Sequence, residues 1–189
     1  MTRSLFASLL LFATAASAEN VVLVLDASGS MWGQIEGKTK IEIARAAVGD
    51  LVRQWKARDT LGLVAYGHRS KGDCKDIETL IPYGPLDAQD YLATVNKLNP
   101  KGMTPLSAAV IQAADTLKIS EQKATVILVS DGEETCEMDP CQVGKELEAR
   151  GVDFTAHVIG FDVPNPAHQA QLRCLAENTG GRYFNVRDA

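Results

Sequence analysis

The chain has 189 residues, with 19 Lys and Arg against 24 Asp and Glu for a net charge of -5, and 46% of its residues are hydrophobic. That balance argues against nucleic acid or an anionic membrane as partner, since both call for a basic surface, and it suits a protein that collects cations. Beyond a short N-terminal leader, the length is that of one compact domain with a full core.

The leader begins with Met1-Thr2-Arg3, a short positive region, followed by an apolar run from Leu5 to Ala13 and the small-residue pattern Ala16-Ser17-Ala18. This is the make-up of a secretory signal peptide, and cleavage is expected after Ala18, leaving residues 19–189 as a single domain, periplasmic or secreted. A retained membrane anchor is the disfavoured alternative, because the run is shorter than the roughly 18–20 apolar residues that span a bilayer and no other stretch approaches that length. There is no Arg-Arg pair and no cysteine near the cleavage point, so neither twin-arginine export nor lipoprotein attachment is suggested. Without the leader, 18 basic residues face 24 acidic ones.

Val21 to Leu25 is an apolar, β-branched run that reads as a strand buried on both faces, and it leads directly into Asp26-Ala27-Ser28-Gly29-Ser30. A glycine-containing loop from Met31 to Lys38 precedes a helix that Thr39-Lys40-Ile41-Glu42 opens as a capping box, with Ile41, Ala44, Val48, Leu51, Val52 and Trp55 as its core-facing stripe. Thr60 to Tyr66 is the second strand, and Glu78 to Pro82 a short third one placed at an edge by its closing proline. Asp87 caps a helix carrying Tyr91, Leu92, Val95 and Leu98. Thr104-Pro105 starts another helix, expected to run to about Lys118, because threonine suits the cap and proline the first helical position. Ala124 to Ser130 is a buried strand ending in Asp131-Gly132. Asp139-Pro140 opens a helix that stops at Gly151, Val152 to Gly160 is a strand, Asn165-Pro166 opens a helix, and Arg182 to Val186 is the last strand.

Strands alternating with amphipathic helices predict an α/β fold, a doubly wound and mainly parallel sheet with helices on both faces. The carboxyl ends of the strands then share one rim, where such folds place their ligands. On it stand Asp26, Ser28, Ser30, Asp131 and Asp162, the helix start at Thr104, and the loops with His68, Asp73 and Asp76. Oxygen donors without imidazole or thiolate suit a hard cation such as magnesium, manganese or calcium. Residues two apart, as in Asp26-x-Ser28-x-Ser30, aim at one point when the chain turns tightly, a turn that Gly29 permits. Each piece alone has a plainer explanation: a polar turn at 26–30, a helix cap at Thr104, a common Asp-Gly turn at 131–132. It is their joint arrival at one rim that points to a cation site.

Cys74, Cys136, Cys141 and Cys174 allow two disulfides in an oxidising compartment, with three pairings open. Cys136 and Cys141 could close a short loop with each other, or their spatial partners could equally be Cys74 and Cys174, and Cys136 and Cys141 are expected to brace the rim rather than react. A tetracysteine zinc site is disfavoured by the absence of C-x-x-C knuckles. Trp32, in its glycine-flanked loop, is a candidate partner contact or a core residue. Glu133 and Glu134 are candidates for steering a ligand or for a second cation site, with a solvated acidic loop preferred. None of His68, His157 and His168 is assigned as a metal ligand.

The set Asp26-Ala27-Ser28-Gly29-Ser30, Thr104 and Asp131-Gly132 resembles the three-part metal-ion-dependent adhesion site of von Willebrand factor type A domains, and the likeness covers essentially the whole chain after the leader. Val126 to Gly132 and Thr179 to Phe184 look most like bacterial members similar to the calcium-activated chloride-channel-like group. The resemblance implies a six-stranded sheet in the order 3-2-1-4-5-6 with the short third strand antiparallel, and a divalent cation, magnesium first, with Ser28, Ser30 and Thr104 as direct ligands. By the same resemblance, Asp26 and Asp131 would act through waters or hydrogen bonds to the ligating hydroxyls. The family usually closes with a further helix after the last strand, whereas this sequence stops at Asp188-Ala189, which leaves two readings open: a natural chain that continues, or a domain without that helix.

A cation held by neutral hydroxyls stays electron-poor, so an outside carboxylate completes its shell better than water does. The expected partner is therefore a protein that supplies a Glu or Asp, and the expected role is binding rather than catalysis. Two rival readings are a magnesium-dependent phosphoryl-transfer hydrolase with a strand-end aspartate nucleophile, and a structural module whose metal only stabilises loops. Against the first, position 28 is serine rather than a second carboxylate, and Lys38, Lys40 and Lys101 have no fixed placement in the sequence. Serine hydrolysis has neither a G-x-S-x-G elbow nor a histidine partner.

Overall fold

A computed structural model of the chain describes residues 19–56, 59–117, 123–150 and 154–186. The expected signal peptide, the end of the fourth helix region at Gly151, and the last residues 187–189 lie outside these.

Six strands form the main sheet: β1 (Asn20–Asp26), β2 (Thr60–Tyr66), β3 (Ile77–Ile81), β4 (Ala124–Ser130), β5 (Phe154–Phe161) and β6 (Tyr183–Val186). Their order is β3-β2-β1-β4-β5-β6, parallel throughout except for the antiparallel β2–β3 pair, whose register shifts at Leu63/Val64. Every residue of β1 is buried, as a strand with neighbours on both sides and helices on both faces must be. Helices α1 (Lys40–Gln54) and α2 (Ala88–Lys97) cover one face, and α3 (Leu106–Leu117), α4 (Pro140–Ala149) and α5 (Pro166–Asn178) cover the other. The alternation along β1 feeds both cores, with Val21, Leu23 and Leu25 facing α1 and α2, and Val22 and Val24 facing α3 to α5.

The local signals explain most helix starts. Thr39 and Glu42 make the reciprocal capping box that fixes the first turn of α1. Asp87, Asp139 and Asn165 accept backbone N–H groups at the N-termini of α2, α4 and α5, and proline follows the cap in the last two. In α1 the stripe is broader than its spacing suggests: Ile43 and Gly49 are buried as well, while Leu51 and Trp55 are only partly covered. Leu51 borders an apolar cleft of about 540 Å³ between α1 and the β4–β5–β6 part of the sheet, floored by Ile127, Val129, Ile159 and Phe161.

The loop expected at 31–38 is more ordered than expected. A 3-10 turn at Gly29–Trp32 is followed by a two-stranded ribbon, Gln34–Ile35 with Lys38–Thr39, whose Glu36-Gly37 turn has positive φ at both residues. That is the geometry two-residue hairpins prefer. The ribbon leads straight into the cap of α1, so the start of that helix is tied to the end of β1.

Candidate metal centre at the strand ends

The cluster is assembled from three loops that hold one another through their backbones. Ser28 pairs with Gly102 as an isolated parallel bridge, Gly29 N–H donates to the Gly102 carbonyl at 3.0 Å, and Lys101 N–H reaches both the Ala27 and Gly67 carbonyls. Gly67, at φ +70°, lies so close that an added Cβ would sit 2.5 Å from the Met103 oxygen and 2.8 Å from Ser28 Cα. The tight approach therefore falls on Gly67 and not on Gly29, where an added Cβ would make only ordinary contacts. Met31, fully buried, pins the 3-10 turn from below.

Within this frame Asp26 is sequestered. Its Oδ1 accepts the Ser28 N–H at 2.7 Å and its Oδ2 accepts the Ser130 hydroxyl at 2.7 Å, all in a buried setting. Burial, and then the charge of Asp131, push its carboxyl up to about 6, against the pull of the hydrogen bonds from Ser28 and Ser130. The two serine hydroxyls lie 3.0 Å apart, and Ser30 Oγ donates to Asp131 Oδ1 at 2.6 Å. The other oxygen of Asp131 accepts from Lys40 Nζ at 2.9 Å.

Thr104, buried, is held through its main chain by Thr135. Its N–H donates to Thr135 Oγ1 at 2.8 Å and its carbonyl accepts the Thr135 N–H at 3.2 Å, which ties the start of α3 to the loop that follows Asp131. The helix itself begins at Leu106, and the Ser107 N–H is capped by Glu134 Oε2 at 2.8 Å, while Glu134 Oε1 takes the Cys136 N–H. Two expectations are corrected here: the N-terminal cap comes from Glu134 in another loop rather than from Thr104, and Glu134 is a bonded structural residue rather than part of a solvated acidic loop. Glu133 is exposed and pairs with His168 at 3.2 Å.

The disulfides are Cys74–Cys136 and Cys141–Cys174. The short Cys136–Cys141 loop does not form; Cys74 and Cys174 are the partners of Cys136 and Cys141, and with all four thiols consumed a tetracysteine zinc site is ruled out. The first disulfide joins the loop before β3 to the loop after β4, so it braces the rim; the second joins α4 to α5. Trp32 is half exposed beside the serines, with its indole N–H held by the Pro100 carbonyl at 2.9 Å. The remaining acids at the rim serve their own loops: Asp76, buried, accepts from Arg69 and Ser70, and Asp73 accepts the Lys75 N–H. His68 contacts Glu78, and His157 accepts the Arg182 N–H.

Two residues at the centre were not among the sequence candidates: Ser130, which supports Asp26, and Lys40, which pairs with Asp131. Ser130 had a signal, as a polar residue ending an otherwise apolar buried strand. Lys40, named in the sequence only as a lysine without fixed placement, had none, because it lies 91 residues from Asp131 and a helix-start lysine ordinarily points to solvent.

Among the described residues no three His, Cys, Asp or Glu side chains group to hold a metal. A cation here must rely on hydroxyls, and the donor set of Ser28, Ser30 and Asp131 oxygens, with no nitrogen or sulfur ligand, fits a hard divalent ion.

Residues 21–134 match the sequence profile described as von Willebrand factor type A domain, and the chain belongs to that family. It is 30% identical over 174 residues to the uncharacterized protein YwmC of Bacillus subtilis, a match that spans 87% of this chain and 75% of that one. Among solved structures it is similar to a von Willebrand factor type A protein from Catenulispora acidiphila, with a TM-score of 0.74 at 22% identity, covering 91% of this chain but only 39% of that one. It also shares its fold with proximal thread matrix protein 1 of the mussel byssus, a structure with zinc in its adhesion-site motif, at a TM-score of 0.63, 18% identity and coverage of 90% and 42%. Domains of this family commonly mediate protein–protein interaction and adhesion, and often bind a divalent metal at that motif.

Proposed function

We propose that the chain is an exported binding module that holds a divalent cation, magnesium in the first instance with manganese or calcium as alternatives, and through it captures a Glu or Asp of a partner protein. The observation that carries this reading is the division of labour at the rim. Asp26 is buried with both oxygens engaged, by the Ser28 N–H and the Ser130 hydroxyl, whereas the Ser28 and Ser30 hydroxyls face each other 3.0 Å apart, Ser28 buried and Ser30 exposed. Ser28, Ser30 and Thr104 are the direct ligands on this reading, with Asp26 and Asp131 orienting them through hydrogen bonds or waters. When bound, the ion supplies an electron-poor centre for an outside carboxylate. Two disulfides and an N-terminal leader support export.

The phosphoryl-transfer alternative gains a lysine that the sequence did not place, since Lys40 reaches Asp131, but it loses its nucleophile. Asp26 is fully buried, and whichever oxygen attacked a phosphate would have to give up its hydrogen bond, from Ser28 on Oδ1 or from Ser130 on Oδ2.

The test is a pull-down from the periplasmic or envelope fraction with wild type and Asp26→Ala, each with magnesium and with chelator. Capture is expected only for wild type with metal, and equal capture in all four arms would overturn the reading. Melting curves in the same four conditions separate a recognition module from a merely metal-stabilised one, which would gain stability but no partner.

A further inference from the structure

Lys40 is the first residue of α1, and its backbone N–H donates to the Gly33 carbonyl at 2.8 Å. From there the side chain runs inward past Gly33, where an added Cβ would come within 3.3 Å of Lys40 Cε and 3.7 Å of Cδ. It ends with Nζ 2.9 Å from Asp131 Oδ2, and its side chain is 13% exposed while that of Asp131 is 1% exposed. Asp131 Oδ1 is meanwhile taken by Ser30. Both oxygens of this carboxylate are thus occupied by donors from the chain itself, and one of those donors carries a full positive charge.

We propose that Lys40 is a built-in counter-ion that competes with the divalent cation for Asp131, so that this ammonium sets how tightly the site holds metal. The inference rests on the cation-site reading given above.

The physical argument has two parts. A dication close to Asp131 meets the Lys40 charge at short range, in a pocket where solvent screens little, and like charges at such separations oppose each other strongly. To relieve that repulsion the ammonium must leave its carboxylate partner, and a partly buried pair gives up its hydrogen bond in doing so. Both effects weaken cation binding relative to a site with the same oxygens and no lysine. The capping box at Thr39 and Glu42 and the missing side chain at Gly33 hold the lysine on this path, so the competition is a fixed property of the site.

The experiment is calorimetric titration of the purified chain, disulfides intact, with magnesium or manganese alone as the probe. It compares wild type with Lys40→Met, which keeps the aliphatic stem and removes the charge, and with Lys40→Arg, which keeps the charge. Circular dichroism checks that each variant is folded, and Lys40→Gln replaces the methionine variant if that one is not. The expected result is at least tenfold tighter binding in Lys40→Met, with Lys40→Arg as weak as wild type or weaker. Binding by Lys40→Met alone, with wild type silent, supports the proposal in its strongest form. If wild type binds and Lys40→Met binds equally or more weakly, the competition is refuted while the cation site stands. If neither binds, the cation site itself falls, and this inference with it.

Discussion

Replacing Ser130 by alanine tests the support of Asp26 most directly, because its hydroxyl donates to Asp26 Oδ2 at 2.7 Å while the Ser28 N–H occupies Oδ1. Both residues are wholly buried, so water cannot substitute for the lost donor. A hydrogen bond to a charged group contributes about 1.5–3 kcal/mol, and a buried acceptor stripped of its donor costs about 1–3 kcal/mol. With the 2.7 Å contact and complete burial, the expected loss is roughly 2–3 kcal/mol of folding stability at neutral pH. Urea unfolding of wild type, Ser130→Ala, Asp26→Ala and the double variant, all in chelator, gives the figure and the coupling. The two single losses should fail to add by about 1–2 kcal/mol, since each removes the same bond. A Ser130→Ala loss below about 0.5 kcal/mol, or strict additivity in the cycle, would refute the assignment of Ser130 as the prop under Asp26.

Three further outcomes are expected. Burial raises the Asp76 carboxyl, but hydrogen bonds from the Arg69 side chain and from the Ser70 and Arg69 N–H groups outweigh it and hold the group below its usual value. Its stabilisation is then fully present above the unfolded value of about 4 and lost as pH falls through the lower folded one; Asp76→Asn should cost about 1–3 kcal/mol at neutral pH and converge on wild type in acid, as read from unfolding curves at several pH values. Removing Cys74–Cys136 by paired serines should lower stability by roughly 2–4 kcal/mol and also weaken cation binding, whereas removing Cys141–Cys174 should lower stability alone, a contrast that calorimetry and melting measure together. Trp32→Ala should leave melting within about 1 kcal/mol of wild type and cation titration unchanged, yet reduce partner capture at least tenfold, as expected of an exposed aromatic anchor beside the site.

The parts of the fold that were legible in the sequence are those governed by short-range rules. Strand Thr60–Tyr66 and strand Ala124–Ser130 coincide with their expected spans because apolar runs end at glycine or acid, and the caps at Thr39, Asp87, Asp139 and Asn165 are local hydrogen-bonding devices. The convergence of Asp26, Ser28, Ser30 and Asp131 was legible too, since strand ends of a parallel sheet share one rim. What escaped depends on distance along the chain. Glu134 caps the Ser107 N–H, 27 residues away, Lys40 reaches an acid 91 residues away, and the disulfide partners are 62 and 33 residues apart. The first three are settled by how loops pack at the rim and the last by how α4 packs on α5, for which neither hydrophobic period nor turn chemistry carries a signal.

The lacing of the 26–30, 67–70 and 99–104 loops through peptide groups has a consequence for anyone who would transplant this site. Gly102 has room for no side chain, an added Cβ falling 2.3 Å from the Ser70 oxygen, and Gly67 is equally confined. Copying Asp26, Ser28, Ser30, Thr104 and Asp131 onto another sheet would therefore carry over the donors without the spacing that aims them. A working graft needs two bare glycines in neighbouring loops and the main-chain bonds between them, so the portable unit is a backbone template on which the five side chains are the smaller part.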